Sequence, residues 1–267
     1  MHDSGEASHV AVDDGVRLAY RADGPEEAPA LVFSNSLGMD LRMWDSQLAA
    51  FAGRFRVVRY DSRGHGRSDV PAGPYTLERL GRDLLALLDA LETERAHICG
   101  LSLGGITAQW LAVYHPQRVV RAVFANTAAR IGSEASWDER VAAVRAGGLR
   151  SIREASLGRY FSEPFRQRHP DAAQRTGDLL EATPEVGYTA ACEALHDADL
   201  RAVVAGIRAP VLIVAGALDE STPAAQAREL HAAIAGSELA ILDAAHLSNI
   251  EQADEFNTCV LAFLTRP

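Results

Sequence analysis

A serine between closely spaced glycines has the most direct chemical implication in this sequence. The segment Gly100-Leu-Ser-Leu-Gly104 has the spacing G-x-S-x-G, and it lies between an apolar run at 96–99 and a helical pattern at 103–114. Glycines let the backbone turn sharply there, so the turn lifts the Ser102 hydroxyl above the strand end. The N-terminus of the following helix then points its free N–H groups at the same place. The sequence therefore predicts that Ser102 is a nucleophile.

The general base for this serine must come from one of nine histidines. A serine hydroxyl is a weak nucleophile and requires a base within hydrogen-bond reach. Only His246 stands just after the last predicted strand, in the segment Asp243-Ala-Ala-His246. Four further histidines suit structural positions better: His65, His97, His115 and His196. His246 is therefore the predicted base.

An acid is needed to hold the tautomer of that histidine and to stabilise its protonated form. The loop after the apolar run at 210–215 reads Gly216-Ala-Leu-Asp219-Glu220. Asp219 follows the strand end and precedes a helix start at Thr222-Pro223, so it is the predicted acid. The competing carboxylates are those of Glu220 and Asp243.

Two backbone N–H groups are predicted to form an oxyanion hole. One belongs to Leu103, directly after the serine, and the other to Leu37 in the loop Ser34-Asn-Ser-Leu-Gly38. Such donors stabilise the negative oxygen of a tetrahedral intermediate by roughly 2.7–4 kcal/mol each. The alternative for the second segment is an ordinary glycine loop.

The elements that must position these groups alternate between strands and helices. After a hairpin at 8–23 with its turn at Asp13-Asp-Gly15, apolar runs predict buried strands at 31–33, 56–60, 96–99, 119–124, 210–215 and 239–242. Helical patterns lie at 77–91, with Thr76 as N-cap, at 103–114, from Thr222-Pro223 and at 254–264. Such alternation predicts an α/β fold, with a mostly parallel central sheet and helices on both faces.

Residues 131–200 interrupt the alternation, because they contain helix signals and no strand pattern. Helix starts are predicted at Ser136, Ser151 and Thr183-Pro184, and a helix end at Gly147-Gly148. The sheet pattern resumes afterwards, which predicts a helical cap at 131–200 inserted into a core domain formed by 1–130 and 201–267. An independent helical domain is the alternative.

Composition excludes several classes of protein. The 267 residues are 48% hydrophobic and 23% charged, as in ordinary globular chains. The formal net charge is −10 and all 26 basic residues are arginine, which disfavours nucleic-acid partners. The three cysteines form no CxxC pair, so no metal is expected. The first eight residues lack a basic and an apolar segment, and no membrane-length apolar stretch follows, so a cytoplasmic protein is expected.

The quoted motifs resemble those of the α/β-hydrolase superfamily over nearly the whole chain, including the order Ser102, Asp219, His246. The segment Tyr60-Asp-Ser-Arg-Gly-His-Gly-Arg-Ser68 is similar to the one that precedes the nucleophile in that superfamily, where it is expected to brace the loop. A closer resemblance is to 3-oxoadipate enol-lactonases. It rests on Asn35-Ser-Leu-Gly-Met-Asp-Leu-Arg-Met-Trp44, Cys99-Gly-Leu-Ser-Leu-Gly-Gly105 and His246-Leu-Ser-Asn-Ile-Glu-Gln252.

This resemblance implies a small anionic lactone as substrate, the enol-lactone of 3-oxoadipate, and a role in aromatic-compound catabolism. It implies an acyl-enzyme on Ser102, with His246 as base and no cofactor. An arginine is the side chain best suited to bind the substrate carboxylate, because it forms charge-assisted hydrogen bonds. The candidate is Arg130, which follows a predicted strand end, and the alternatives are Arg145, Arg150 and Arg153. Trp137 is expected to pack against the lactone ring. The sequence specifies no oligomeric state.

Rival functions share the same triad. They are another carboxylesterase, a C–C bond hydrolase of vinylogous diketones, and a cofactor-free haloperoxidase or perhydrolase. A haloalkane dehalogenase is disfavoured because it would need aspartate at position 102. A ligand receptor on the same scaffold is the rival from a different class, and a turnover assay separates it from an enzyme.

Overall fold

The computed structural model describes residues 7–266, and in them eight strands form one sheet. The strands are β1 (Ser8–Ala11), β2 (Arg17–Asp23), β3 (Ala30–Ser34), β4 (Arg56–Tyr60), β5 (Ala96–Leu101), β6 (Val119–Ala125), β7 (Val211–Gly216) and β8 (Glu238–Leu242). Their order is β1-β2-β4-β3-β5-β6-β7-β8. β1 and β2 form the predicted antiparallel hairpin, and β4, β3 and β5 to β8 run parallel. The predicted mostly parallel sheet is confirmed.

The central strands owe their place to continuous apolar runs. Every residue of β3, β5 and β7 is buried, because helices cover both faces of a parallel sheet and leave no face for water. Side chains of alternating polarity would suit only a half-exposed strand. The predicted runs at 31–33, 96–99 and 210–215 are therefore strands buried on both faces, whereas the run at 239–242 is the half-buried edge strand β8.

Eleven α-helices accompany the sheet in the described residues. They are α1 (Asp45–Phe51), α2 (Leu77–Ala90), α3 (Leu103–Tyr114), α4 (Glu134–Gly147), α5 (Arg153–Tyr160), α6 (Glu163–Arg168), α7 (Pro170–Ala182), α8 (Glu185–Asp197), α9 (Ala224–Ala233), α10 (Ser248–Glu251) and α11 (Ala253–Leu264). Short 3₁₀ turns occur at Leu41–Trp44, Pro116–Arg118, Leu149–Ile152 and Val204–Gly206. The crossovers through α1 and α2 step in opposite directions along the sheet, so right-handed connections place these helices on opposite faces.

Five helices, α4 to α8, lie between β6 and β7, where the sequence predicts a helical insertion. Their boundaries differ in part from those predicted. The start predicted at Ser136 is wrong, because Ser133 caps α4 and Ser136 is the third residue of that helix. The Ser133 side chain accepts from the Ser136 N–H, and the Ser136 side chain accepts from the Ser133 N–H. The start predicted at Ser151 lies inside the 3₁₀ turn before α5. The predicted stop is confirmed, since α4 ends at Gly147 and Gly148 has a φ of 67°.

The expectation of a cytoplasmic protein rests partly on the first eight residues. Of these, residues 1–6 lie outside the part of the chain that the structure describes. Within residues 7–266, no helix is long and apolar enough to cross a membrane. The same residues contain no group of three or more His, Cys, Asp or Glu side chains arranged to hold a metal ion.

Candidate active site

Ser102 lies in the tight turn between β5 and α3, in a backbone conformation that few residues adopt. Its φ is 57° and its ψ is −114°, and the side chain is 6% exposed. The turn closes only because its flanking residues are glycines. A Cβ on Gly100 would lie 2.1 Å from the carbonyl oxygen of Gly104, and a Cβ on Gly104 would lie 2.1 Å from the carbonyl oxygen of Ser34. The glycines of the motif therefore permit the sharp turn that the sequence predicts.

His246 and Asp219 meet at the carboxyl ends of β8 and β7. The His246 Nδ1 atom is 2.8 Å from Asp219 Oδ2, and both side chains are buried. The carboxylate also accepts hydrogen bonds from the Ser221 and Thr222 N–H groups, at 2.8 and 3.0 Å, and from the Thr222 hydroxyl at 2.8 Å. Neither Glu220 nor Asp243, the competing carboxylates, bonds to the His246 ring.

Asp219 is held as an anion although it is buried. Burial alone would raise the pKa of its carboxyl group, but the charge and the hydrogen bond of His246 act in the opposite direction, together with hydrogen bonds from Asn126 and Thr222. Together these interactions outweigh burial and lower the pKa of Asp219 to about 2. A carboxylate beside Nδ1 keeps the proton on that nitrogen, which leaves Nε2 of His246 free to accept one.

Asn126, at the end of β6, is a residue of this site that the sequence analysis did not predict. Its φ is 43°, a left-handed conformation that asparagine tolerates better than most residues. Its Nδ2 atom donates to Asp219 Oδ2 at 3.0 Å and to the Ala245 carbonyl at 3.2 Å. Its Oδ1 atom accepts from the Ser248 hydroxyl at 2.5 Å. Asn126 thus ties the acid to the loop that carries His246. The feature of the sequence that could have indicated this role is the position of an asparagine directly after a predicted strand.

The two segments that contain the predicted oxyanion donors are hydrogen-bonded to each other. The Gly104 N–H donates to the Asn35 carbonyl at 2.9 Å, which joins the serine turn to the loop that contains Leu37. Among the described residues, no hydrogen-bond acceptor is recorded for the N–H of Leu37 or of Leu103. Both N–H groups therefore remain available to an oxygen of a ligand.

The segment 60–68 holds the Leu37 loop in place, as the resemblance implies. The Gly38 N–H donates to His65 Nε2 at 3.1 Å, and the Leu41 N–H donates to Asp61 Oδ1 at 2.7 Å. Burial lowers the pKa of His65, so its ring is neutral. With Nε2 as the acceptor, Nδ1 carries the proton and donates to the Arg63 carbonyl at 3.1 Å. His65 therefore acts on the loop by a hydrogen bond and does not compete with His246 as base.

A cavity of about 140 Å³ brings the predicted groups together beneath α4 and α5. Ser102, His246 and Leu37 line it from the core, and Trp137, one of the two residues predicted to bind substrate, lines it from α4. The Trp137 indole N–H donates to the Ile131 carbonyl at 2.7 Å, which fixes the ring at the cavity wall. The small volume suits a ligand of few atoms, since drug-sized ligands occupy about 300–1,000 Å³.

Two arginines that the sequence analysis did not select line the same cavity. Arg140 donates to the Tyr188 hydroxyl at 3.1 Å and lies 6.0 Å from the centre of the Trp137 ring. Arg159 donates to the Ser156 hydroxyl at 3.3 Å. Within residues 7–266 neither guanidinium has a carboxylate within 4.0 Å. Burial and the charge of Arg140 lower the pKa of Arg159. The cavity therefore offers uncompensated positive charge to an anion.

The selection of Arg130 as the residue facing this cavity is wrong. Its guanidinium pairs with Glu134 at 3.2 Å and with Asp199 at 3.4 Å, and it lines a separate cavity beside α9. The reason is electrostatic, because two carboxylates near the surface hold the side chain there. Gly132, with a φ of 69°, then turns the chain so that the following helix presents Arg140 to the catalytic cavity.

Comparison with known proteins gives the family. The family model described as the α/β hydrolase fold matches residues 29–253. This chain belongs to the α/β-hydrolase family. Within that family, it is 43% identical over 252 residues to 3-oxoadipate enol-lactonase 2 of Acinetobacter baylyi, with 94% of each chain covered. It is 45% identical over 242 residues to 3-oxoadipate enol-lactonase 1 of the same bacterium, with 91% of each chain covered.

A solved structure agrees with these relatives. The crystal structure of the enol-lactonase from Burkholderia xenovorans LB400 superposes with a TM-score of 0.95 at 46% sequence identity. The match covers 97% of this chain and 100% of that one. The resemblance to the α/β-hydrolase superfamily and its enol-lactonases is thereby confirmed.

Proposed function

We propose that this protein is a 3-oxoadipate enol-lactonase, which hydrolyses the ring ester of the enol-lactone to give 3-oxoadipate in aromatic-compound catabolism. The observation that carries this proposal is the 43–45% identity to two proteins of that name over more than nine tenths of each chain. The site geometry supports it, because Ser102, His246 and Leu37 line one small cavity and Asp219 is hydrogen-bonded to the His246 ring. A serine, a histidine and an aspartate with two N–H donors are the groups that a serine hydrolase needs.

In the first half of the reaction, Ser102 Oγ attacks the lactone carbonyl carbon and His246 Nε2 takes the hydroxyl proton. The carbonyl oxygen gains the negative charge, which the N–H groups of Leu37 and Leu103 stabilise. When the tetrahedral intermediate collapses, the bond to the ring oxygen breaks and that oxygen leaves with the electron pair. An enolate is a good leaving group, and it takes the proton from His246 as the ring opens, so the chain carries an enol and His246 is neutral again. The product of this half is an acyl-enzyme.

In the second half, water releases the opened chain from Ser102. His246 removes a proton from the water as the oxygen attacks the acyl carbon, and it returns the proton to Ser102 Oγ when that bond breaks. One water is consumed, and the new carboxyl group loses its proton to solvent. The enol group of the released chain converts to the ketone, which completes 3-oxoadipate. Asp219 keeps the His246 ring in orientation and stabilises its charge in both halves. Its own carboxylate is held by hydrogen bonds from Ser221, in the same loop, and from Asn126 at the end of β6.

Arg140 and Arg159 are the residues that we assign to the substrate carboxylate. The substrate is an anion, and a chain with a formal net charge of −10 repels anions at long range. Local positive charge must therefore bind the carboxylate, and among residues 7–266 these two arginines have no carboxylate partner of their own. Trp137 would pack against the lactone ring. We further propose that residues 131–200 act as a cap that excludes water from the site.

The test is hydrolysis of 3-oxoadipate enol-lactone, followed in the ultraviolet, with Ser102→Ala as the control. We expect a kcat/KM above roughly 10⁴ M⁻¹s⁻¹, as for ordinary evolved enzymes, and loss of turnover in the variant. p-Nitrophenyl acetate serves as a neutral ester that needs the triad but no carboxylate site. Cleavage of this ester without turnover of the lactone would refute the lactonase assignment and point to another esterase activity.

A further inference from the structure

The polar residues that follow His246 attach its loop to three different parts of the molecule. Ser248 donates to Asn126 at the end of β6. Asn249 donates to the Met43 carbonyl at 2.9 Å, before α1. Glu251, the last residue of α10, instead accepts hydrogen bonds from Ser162, which lies in the helical segment 131–200. The first two attachments join the loop to the sheet and its helices, whereas the third joins it to the cap.

Glu251 accepts hydrogen bonds from both sides of this junction. One carboxylate oxygen, Oε2, accepts from the Ala245 N–H at 2.9 Å, directly before His246. The same oxygen accepts from the Ser162 N–H at 3.2 Å, and Oε1 accepts from the Ser162 hydroxyl. Ser162 is the N-cap of α6, so one carboxylate bridges the catalytic loop and a cap helix.

Backbone contacts run along the same junction. The His246 N–H points to the Arg159 carbonyl at 3.3 Å, and the Leu247 N–H donates to the Tyr160 carbonyl at 3.0 Å. The Tyr160 ring is nearly parallel to the His246 ring, with 6.2 Å between their centres. The 3.3 Å bond is long, which leaves the histidine backbone with a weak attachment of its own. Glu251 supplies the stronger bonds on either side of it.

We propose that Glu251 is a positioning residue, which holds His246 in register with Ser102 by clamping its loop to the cap. This inference rests on the proposed role of His246 as base. Glu251 and Ser162 do not line the catalytic cavity, so the carboxylate acts through the loop and touches no substrate. A loss of register of about 1 Å can cost roughly 100-fold in rate. The effect therefore belongs to kcat, with little change in KM.

The decisive measurement is the rate at which a fluorophosphonate labels Ser102. In this reaction Ser102 Oγ bonds to phosphorus, fluoride leaves with the bonding electrons, and His246 takes the hydroxyl proton. The probe needs the serine and its base but no carboxylate site. A misfolded fraction lowers the amount of protein labelled, whereas a displaced base lowers the rate, so the two effects separate within one experiment.

We expect Glu251→Ala to slow labelling by about 10- to 100-fold, and to lower kcat for p-nitrophenyl acetate by a similar factor at unchanged KM. Ser162→Ala removes only the cap side of the bridge, so we expect a smaller loss. Glu255→Ala is the matched control, because it removes an exposed carboxylate of the next helix. It should label at the wild-type rate, which excludes an effect of net charge.

Wild-type labelling rates in both Glu251→Ala and Ser162→Ala would overturn the proposal. If Glu251→Ala does not fold, Glu251→Gln takes its place, since the amide retains one acceptor oxygen and should lose part of the rate. Failure of the proposed function gives a different result. In that case the wild-type protein either is not labelled at all, or is labelled without hydrolysing the enol-lactone.

Discussion

Replacing Arg140 by methionine tests the assignment of the carboxylate site. Methionine keeps an unbranched chain of similar length against Trp137, but it removes the charge and the N–H donors. A hydrogen bond to a charged group contributes about 1.5–3 kcal/mol, and each 1.36 kcal/mol is a factor of ten. We therefore expect kcat/KM for the anionic enol-lactone to fall by roughly 10- to 150-fold, mainly through KM, because the carboxylate is bound equally in the ground and transition states.

Two further arginines provide matched controls for this experiment. Arg145 lies on the same helix but is exposed and pairs with Glu193 at 3.1 Å. Arg130 pairs with Asp199 and Glu134 beside a different cavity. Arg145→Met and Arg130→Met each remove one positive charge, so they measure what net charge alone does. We expect little change in kcat/KM in either variant, because both charges are paired with carboxylates away from the catalytic cavity and salt screens exposed charges.

The neutral ester completes the argument. p-Nitrophenyl acetate has no carboxylate, so Arg140→Met should cleave it at a rate close to that of the wild type. If this variant hydrolysed the enol-lactone with an unchanged KM, the carboxylate would have to bind elsewhere, and Arg159→Met would be the next variant to measure. A loss of equal size on both substrates would show that Arg140 supports the triad instead of the substrate.

Four further predictions concern the triad, its turn and a glycine of α5. Asp219→Asn should lower kcat by roughly 10⁴-fold in the lactone assay, because the amide no longer fixes the histidine tautomer. Since the pKa of Asp219 is lowered to about 2 in the folded protein, its contribution to stability is complete above the unfolded pKa near 4 and is lost as the pH falls toward 2. In urea unfolding, the free energy of unfolding of the wild type should therefore exceed that of Asp219→Asn by an amount that falls by about 1 kcal/mol between pH 5 and pH 3. A difference that stays constant over this range would contradict this pKa. Gly104→Ala should destabilise the protein by at least about 1–3 kcal/mol in thermal unfolding, because its Cβ meets the Ser34 carbonyl at 2.1 Å. Gly158→Ala, with nothing within 4 Å, should stabilise it by about 0.5–1 kcal/mol.

The sheet could be predicted because its signals are local. A strand buried on both faces needs a largely apolar run, and the runs at 96–99 and 210–215 lie in the central strands β5 and β7. The start of α4 was harder, because Ser133 and Ser136 both suit a helix cap. The pair of Ser136 with Glu139 matches the usual box, but the structure uses the two serines with each other.

The candidate triad was predictable for a related reason. Each of its residues follows a recognisable strand, and parallel strands end at one edge of the sheet. The residues around it depend on contacts that no local pattern contains. Arg130 is held by Asp199, which lies 69 positions away in the chain. Arg140 faces the cavity because of the direction in which α4 leaves the turn at Gly132. Both outcomes follow from the path of the chain between β6 and β7.

The junction between the cap and the histidine loop bears on how such caps can be exchanged among relatives. An insertion between two strands looks like a cassette that can be replaced through its two ends alone. Here residues 159–162 bond to residues 245–251, which lie on the far side of β7 and β8. A transplanted cap would therefore arrive without the partner that its inner edge requires. A chimera that exchanges this cap therefore has to take two segments from the donor, the cap and the histidine loop, although they are distant in sequence. A change of substrate preference made in the cap then depends on a matching sequence in the histidine loop.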